Sequence, residues 1–414
     1  MKTNLFHRAT RVLLTLLSLA LLCPRSAALT YASLVNNYGG VFPNYNDARQ
    51  NTIEFNQLLR DTNGMVGNHA ARTIRFAAGT YEFNVNVEGG GQLASFENVG
   101  NLTLQGATSG ETVLSRISGL SDGDTTSNPN YFWSFDLNCR AITITNLAFD
   151  STHTHRYGAG QHVRFLGKHL EVQYCTFRHA PNYAIEIADG NADSAAEYIH
   201  IDSNSFIDCF GDPIHVHNGS DVWIVGNYIQ NSGDDAIAVV ADDFEADGLK
   251  ASNVHILSNN INGSQWRGIA IVTADDVHIE NNFIHGGSRH GIEITPIATE
   301  HNTAFDGDVP ENQWAHGVSL LNNTIQYAGY PPDHDGLFHQ DACGLIQKNV
   351  RNVTATGNTI HDIKGHGIYL RWVTGAEYGS LSQIWSFGTG GAGDGIRGEG
   401  YMANISTWFY SPGN

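Results

Sequence analysis

The sequence predicts an all-β chain wound into a right-handed parallel β-helix, and three observations carry that prediction. Short apolar strands recur through the middle of the chain, as in "IDSNSFIDCFGDPIHV", "IVGNYIQNSGDDAIAV", "ILSNNINGSQWRGIAI", "IENNFIHGGSRHGIEI" and "ATGNTIHDIKGHGIYL". The copies share one register. Asn204, Asn227, Asn259, Asn282 and Asn358 occupy a column, and eight residues later come Asp212, Asp235, Arg267, His290 and His366. Finally, no helical period separates the strands. A unit this short buries only a thin slice of core, so successive units must stack to be stable. A β-propeller would need four antiparallel strands per blade joined by hairpin turns, which the pattern lacks.

The elements follow in chain order. Residues 1–28 combine the basic leader "MKTNLFHRATR", the apolar run "VLLTLLSLALLC" and the small residues of "RSAALT". The apolar run is too short to span a bilayer, so this is a signal peptide with cleavage near Ala27 or Ala28, and the product is expected to be secreted or periplasmic. Residues 29–414 form one β-helix domain: cap and first coils over 29–100, central coils over 101–372, and a closing loop or cap over 373–414. "NDARQNTIEFNQLLRDT" reads as a short amphipathic helix capping the open end of the stack, and "RTIRFAAGTYEF" and "NLTLQGATSGETVL" as first coils. Central coils mostly repeat at 23 residues, while the step from Asp235 to Arg267 is 32 because "ADDFEADGLKA" is inserted. Cys175 and Tyr183 keep the register one coil earlier, Cys175 standing where Asn stands elsewhere. Asn at a tight corner bonds its neighbours and tolerates left-handed backbone. The closing "SFGTGGAGDGIRGEG" is too glycine-rich for regular structure.

Charge and cysteine content narrow the function. The formal net charge is −19, and the leader holds Lys2, Arg8, Arg11 and Arg25 but no acid, so the remainder is more acidic still. Such a chain repels nucleic acid and anionic membranes. Cys23 leaves with the leader. Cys139, Cys175, Cys209 and Cys343 are too few and scattered for a disulfide scaffold, and no CxxC pair exists; one disulfide or buried free thiols both fit.

In a parallel stack, equivalent residues lie about 4.8 Å apart, so columns become surface. The corner column reads Tyr183, Asp212, Asp235, Arg267, His290, with Asp234, Trp266 and Arg289 just before it. An outward column reads Glu186, His215, Ala238, Ala270, Glu293, with His217 farther along its own strand. Asp212, Asp234 and Asp235 therefore meet in one open cleft, where small Ala238 and Ala270 leave room for substrate. Carboxylates that close raise at least one pKa, which keeps a proton available near neutral pH. A protonated acid beside an ionised base is what glycosidic hydrolysis requires. The plainer alternative is that an Asp before a strand only caps a turn, and strict alternation from Ile237 would even turn Asp235 inward. His215 and His217 suit a solvated or structural role as well as catalysis, and Glu293 and Glu186 suit a groove lining.

The pair "GDPIHV" and, 23 residues on, "DDAIAV" resembles the polygalacturonase-like glycoside hydrolases, family 28 and its clan. The resemblance implies Asp234 as general acid, with Asp212 and Asp235 positioning and activating water in an inverting reaction. Two departures matter. The family's Gly-His-Gly corner is here Trp266-Arg267-Gly268, and its uronate-binding Arg-x-Lys is here Glu293 and Thr295. Galacturonan is therefore disfavoured and a neutral or differently charged glycan expected. "RTIRFAAGTYEF", "GATSGETVL" and "SRHGIEI" also look like β-helical alginate epimerases and uronate lyases. That likeness implies proton abstraction by Tyr183 with His215 or His290, with Arg267 neutralising a carboxylate. A third reading is a non-enzymatic adhesin or stalk, against which the polar ribbon is concentrated on four coils. The expectation is a polysaccharide hydrolase in which Arg267, His290, His215, Trp266, Glu293, Tyr183 and His217 bind sugar or tune acidity. No cofactor is expected, although Asp242, Asp243, Glu245 and Asp247 offer a Ca²⁺ site as an alternative to a solvated groove wall.

Overall fold

The structure is a computed structural model that describes residues 46–61, 69, 71–84, 93–118, 132–151, 160–187, 196–241, 249–297, 309–329, 342–374, 377–382, 384–386, 396–399 and 406–410. Residues 1–28, expected to be a signal peptide, lie outside the described residues, as do Asp242, Asp243, Glu245 and Asp247.

Among the described residues the first element is a helix, α1 (Ala48–Asp61). Asp47 caps it by accepting the Gln50 amide at 3.0 Å. Its Phe55 meets Phe76, Phe83 and Trp133 with ring centroids 5.9, 6.0 and 6.3 Å away. The helix thus plugs the open end of the stack, as the sequence predicts.

The strands then wind through three faces in a right-handed parallel β-helix. The first face includes Arg72–Arg75, Ser220–Val225 and Ser406–Tyr410; the second, Gly79–Asn84, Thr176–Arg178 and Ile384–Ser386; the third, Ala94–Phe96, Ile214–Val216, Ile237–Val240 and Ile396–Glu399. Each strand pairs in parallel with its equivalents one coil away. Inward residues line up in register: Val222, Val254, Val277 and Val318 form one buried row, and Ile224, Ile256, Ile279 and Leu320 another. Phe149, Phe177 and Phe206 stack at 4.9 and 5.0 Å. A buried aliphatic side chain contributes about 1.5–3 kcal/mol, and here only the neighbouring coils can bury it.

The Asn column is an internal ladder. Asn227 donates its backbone N–H and its Nδ2 to Asn259 Oδ1 at 2.9 and 3.0 Å, and Nδ2 also to the Ile201 carbonyl at 2.8 Å. The same backbone bond links Asn204, Asn227, Asn259, Asn282, Asn323 and Asn358, with the Cys175 N–H donating into its near end. Two details correct the sequence reading. Asn323 belongs to a coil that the count of repeats passes over. The left-handed backbone falls on the residue before each Asn, with Ser203, Ser258, Asn281 and Asn322 at φ 56, 55, 56 and 53°. That residue turns the chain so that the Asn side chain enters the core.

The glycine-rich closing segment is also partly regular, because Ile396–Glu399 pairs with the strand before it, Ile368 opposite Ile396. A finished neighbouring strand offers a ladder of backbone partners, which overrides weak propensity. Cys139, Cys175, Cys209 and Cys343 are all buried, and the first three are free thiols. Burial pushes the thiols of Cys139, Cys175 and Cys209 up to about 12, so they are inert. Among the described residues, no helix is long and apolar enough to cross a membrane.

Candidate active site

The candidate site forms where the chain passes from the second face into the third. Asp212 and Asp235 lie in the bends before Ile214–Val216 and Ile237–Val240, outside the strands, so alternation does not turn Asp235 inward. The pairing of Ile214 with Ile237 stacks the two bends. Gly233 lets them approach: a Cβ there would sit 2.1 Å from the Phe210 carbonyl oxygen. The Asp235 N–H donates to Asp212 Oδ1 at 2.8 Å, and the Arg267 N–H donates to Asp235 Oδ1 at 3.0 Å. One carboxylate oxygen from each of Asp212, Asp234 and Asp235 lies within 4.8 Å of the other two. The three acids do meet, but the open cleft expected for all of them holds for one. Asp234 is exposed, whereas Asp212 and Asp235 are 4% and 3% exposed.

The two covered acids are held on all four oxygens. Asp212 Oδ2 accepts from His215 Nδ1 at 2.6 Å. His215 stacks on Tyr183 at 4.2 Å and lies 4.3 Å from His217. His217 reaches Glu186 at 3.4 Å, and Glu186 pairs with Arg164 at 3.5 Å. Asp235 takes a fork from Arg267, Nε to Oδ1 at 2.8 Å and Nη2 to Oδ2 at 2.7 Å. The remaining Arg267 nitrogen, Nη1, donates to Glu293 Oε2 at 3.4 Å. Lys348 Nζ donates to Glu293 Oε1 at 3.1 Å, and His290 Nε2 faces Glu293 at 3.7 Å. His290 Nδ1 accepts the Cys343 N–H at 3.0 Å, which leaves Nε2 as the nitrogen facing Glu293.

Burial pushes the Asp235 carboxyl well above its usual range; the Arg267 charge opposes this, while Asp212 and Asp234 reinforce it. Burial also acts to raise Glu293, but His290, Lys348, Arg267 and Arg289 outweigh it and hold that carboxyl below its usual range. Three carboxylates this close would suit a cation, but Arg267 already supplies one to Asp235, and no metal is assigned to them.

The outward column occurs in the expected register, Glu186, His215, Ala238, Ala270 and Glu293, and continues to Ile346. The room expected over the alanines is filled, since Ala238 packs in a buried apolar cluster with Val240, Ala241, Val272 and Ile297. Arg267, His290 and Glu293, expected to meet sugar, lie beneath the surface at 5%, 1% and 1% exposure and bind one another. His215 and His217 are buried, and Tyr183 is half-buried. The rim carries Asp234, Trp266 and Arg289 on successive coils, the Arg289 guanidinium 4.4 Å from the Trp266 ring centre. Arg164 and Lys348 are participants that the sequence reading did not single out.

A family model described as right handed beta helix region matches residues 162–327. No curated protein matches the chain in sequence. Among solved structures, the chain is similar to the mannuronan C-5 epimerase AlgE6 A-module of Azotobacter vinelandii, at 12% identity and a TM-score of 0.51, over 91% of this chain and 99% of that one. It is similar to the Agl-KA catalytic domain at 14% identity and a TM-score of 0.53, over 91% and 69%. It is also similar to the family 28 exopolygalacturonase of Yersinia enterocolitica at 13% identity and a TM-score of 0.49, over 81% and 72%. At these identities the likeness shows the shared fold.

Proposed function

We propose that this β-helix is a secreted or periplasmic enzyme that hydrolyses a glycosidic bond of a polysaccharide with inversion. One observation carries the reading: three carboxylates converge within 4.8 Å, one of them exposed on the rim and two fixed below it. Asp234 donates a proton to the leaving oxygen. Crowded like charges keep such a proton in the cluster at neutral pH. Asp212 and Asp235 hold the attacking water, because Asp212 Oδ1, Asp212 Oδ2 and Asp235 Oδ2 each keep a second lone pair beyond the bonds already described. Asp212 takes the water's proton, and His215 steadies it. The cluster gains one proton as it loses one, and exchange with solvent resets the roles.

Inversion is favoured over a covalent route because Asp212 and Asp235 are tethered on both oxygens. A carboxylate so tethered is poorly placed to become a glycosyl ester. The spacing is shorter than the roughly 6.5–9.5 Å usual for inverting pairs, so the anomeric form of the first product is the sharpest check on stereochemistry. The floor cations are answered by the chain's own acids, Arg267 by Asp235 and Glu293, and Lys348 by Glu293. A glycan neutral at the cleaved unit fits that floor, with Trp266 and Tyr183 as sugar platforms on the rim.

The Tyr183–His215 stack beside Asp212 favours a second reading, lyase or epimerase chemistry, which needs a cation for the substrate carboxylate that the paired Arg267 does not provide. A glycan panel read for new reducing ends, for unsaturated uronate absorbance and for C5 proton exchange separates these reactions. On the substrate it identifies, Asp234→Asn is expected to lower kcat at least about 100-fold with unchanged unfolding. Near-normal turnover in that variant removes the hydrolase reading.

A further inference from the structure

We propose that Lys348 is a positioning residue for the acid cluster, acting through Glu293 and Arg267 on Asp235. The catalytic consequence rests on the hydrolase reading; the linkage itself does not.

The four residues occupy successive coils, joined by the pairing of Ala238 with Ala270, Ala270 with Glu293, and Glu293 with Ile346. Arg267 divides one rigid guanidinium between two acids. Its Nε and Nη2 edge serves Asp235 at 2.8 and 2.7 Å, while Nη1 serves Glu293 at 3.4 Å. A planar fork keeps both engagements only at one roll angle. Glu293, 1% exposed, would compete for Arg267 were it not satisfied on its other side. Lys348 provides that satisfaction, 3.1 Å from Oε1, with a side chain 17% exposed.

Charge count gives the same answer. Asp235 and Glu293 are balanced by Arg267 and Lys348. The other charged or titratable groups facing Asp235 are Asp212, which carries His215, and Asp234. Those facing Glu293 are His290 and Arg289. Removal of Lys348 therefore takes one positive charge from the Oε1 side of Glu293, to which Arg267 responds by moving toward Glu293 or the cluster responds by taking up a proton. Either response makes Asp235 easier to protonate. Lys348 stands three coils from Asp235, about 14 Å along the axis. A unit charge at that range and an effective dielectric near 20 moves a titration by about one pH unit.

The test uses the whole chain labelled with ¹³Cγ-aspartate and follows the Asp235 carboxyl by NMR against pH, assigned with Asp235→Asn. Lys348→Met is expected to raise its protonation midpoint by about one pH unit, and Lys348→Arg to restore it. Glu293→Gln/Lys348→Met removes both charges together and is expected to return the midpoint to within about 0.3 unit of wild type. Lys348→Gln, which keeps a polar group beside Glu293, serves as the reporter if Lys348→Met does not fold. On a cleaved glycan, the acid limb of the kcat profile is expected to move with the midpoint while KM stays constant, which a merely structural lysine would not produce. An unchanged midpoint in Lys348→Met, or a double variant shifted as far as the single one, overturns the proposal. A shifted midpoint in a protein that cleaves no glycan leaves the linkage standing and removes the hydrolase reading.

Discussion

Arg267→Met tests whether the buried ion pairs hold the site together. The substitution keeps the volume of the stem and the backbone N–H that donates to Asp235, but it deletes both forked bonds to Asp235 and the bond to Glu293. Both acids are nearly inaccessible, so water does not replace the lost partner. Removing one member of a buried pair destabilises by about 3–5 kcal/mol. Protonation of Asp235 offers a way out, and its direction is set. A carboxyl whose folded pKa lies above its unfolded value adds stability below the unfolded pKa and loses that stability as pH rises through the folded one. The deficit should therefore be greatest at pH 7–8 and shrink toward pH 5. Urea unfolding followed by circular dichroism at pH 8, 7 and 5 measures it. Arg267→Met combined with Asp235→Asn should recover to within about 1 kcal/mol of wild type. A single variant that loses less than about 1 kcal/mol at pH 7, or a deficit that does not change with pH, refutes the argument.

Two further outcomes concern the scaffold. Asn259→Ala orphans the Ile224 carbonyl and the Asn227 N–H in the core, and at about 1–3 kcal/mol per buried orphan the loss should be about 2–6 kcal/mol in urea; a loss under 1 kcal/mol would mean the ladder is decorative. His162 is buried against Phe149 and Phe177 with its Nε2 2.8 Å from Ser151 Oγ, and burial first, then the Arg116 charge, lowers its pKa to about 3. A base depressed this way is stabilising above its unfolded pKa near 6.5 and loses that contribution as pH falls toward 3, about 2 kcal/mol by pH 5. His162→Gln should flatten that part of the stability–pH curve, and two parallel curves would count against a neutral buried imidazole.

The architecture was legible because a stacked coil repeats itself in sequence. A constant offset between Asn and corner residue located the core ladder and the outward column, and both occur in the structure. The offset misled only where chain is inserted. Asn323 and Cys343 are twenty residues apart where other coils have eight, since residues 330–341 intervene, although "NNTI" repeats the "NNFI" of an earlier coil. Losing that coil from the count hid Lys348, which lies two residues past the outward column position of Ile346. Registers say which residues are neighbours but not which are covered. Arg267, His290 and Glu293 were assigned to substrate because the column faces outward, yet charge pairing draws them under the surface. Ala238 and Ala270 read as space, yet both are fully buried, Ala238 among apolar neighbours. The glycine-rich closing segment read as irregular because propensity does not register a waiting parallel strand.

The position of the charged network along the stack has a consequence of its own. On the third face, the strand bearing Lys348 is followed among the described strands only by His366–Thr374 and Ile396–Glu399, whereas four strands precede the one bearing His215. Solenoids unwind from their ends, turn by turn. Peeling that starts at the C-terminal side would uncouple Lys348 while the bends holding the three aspartates were still wound, so the acidity of the site would drift before its shape was lost.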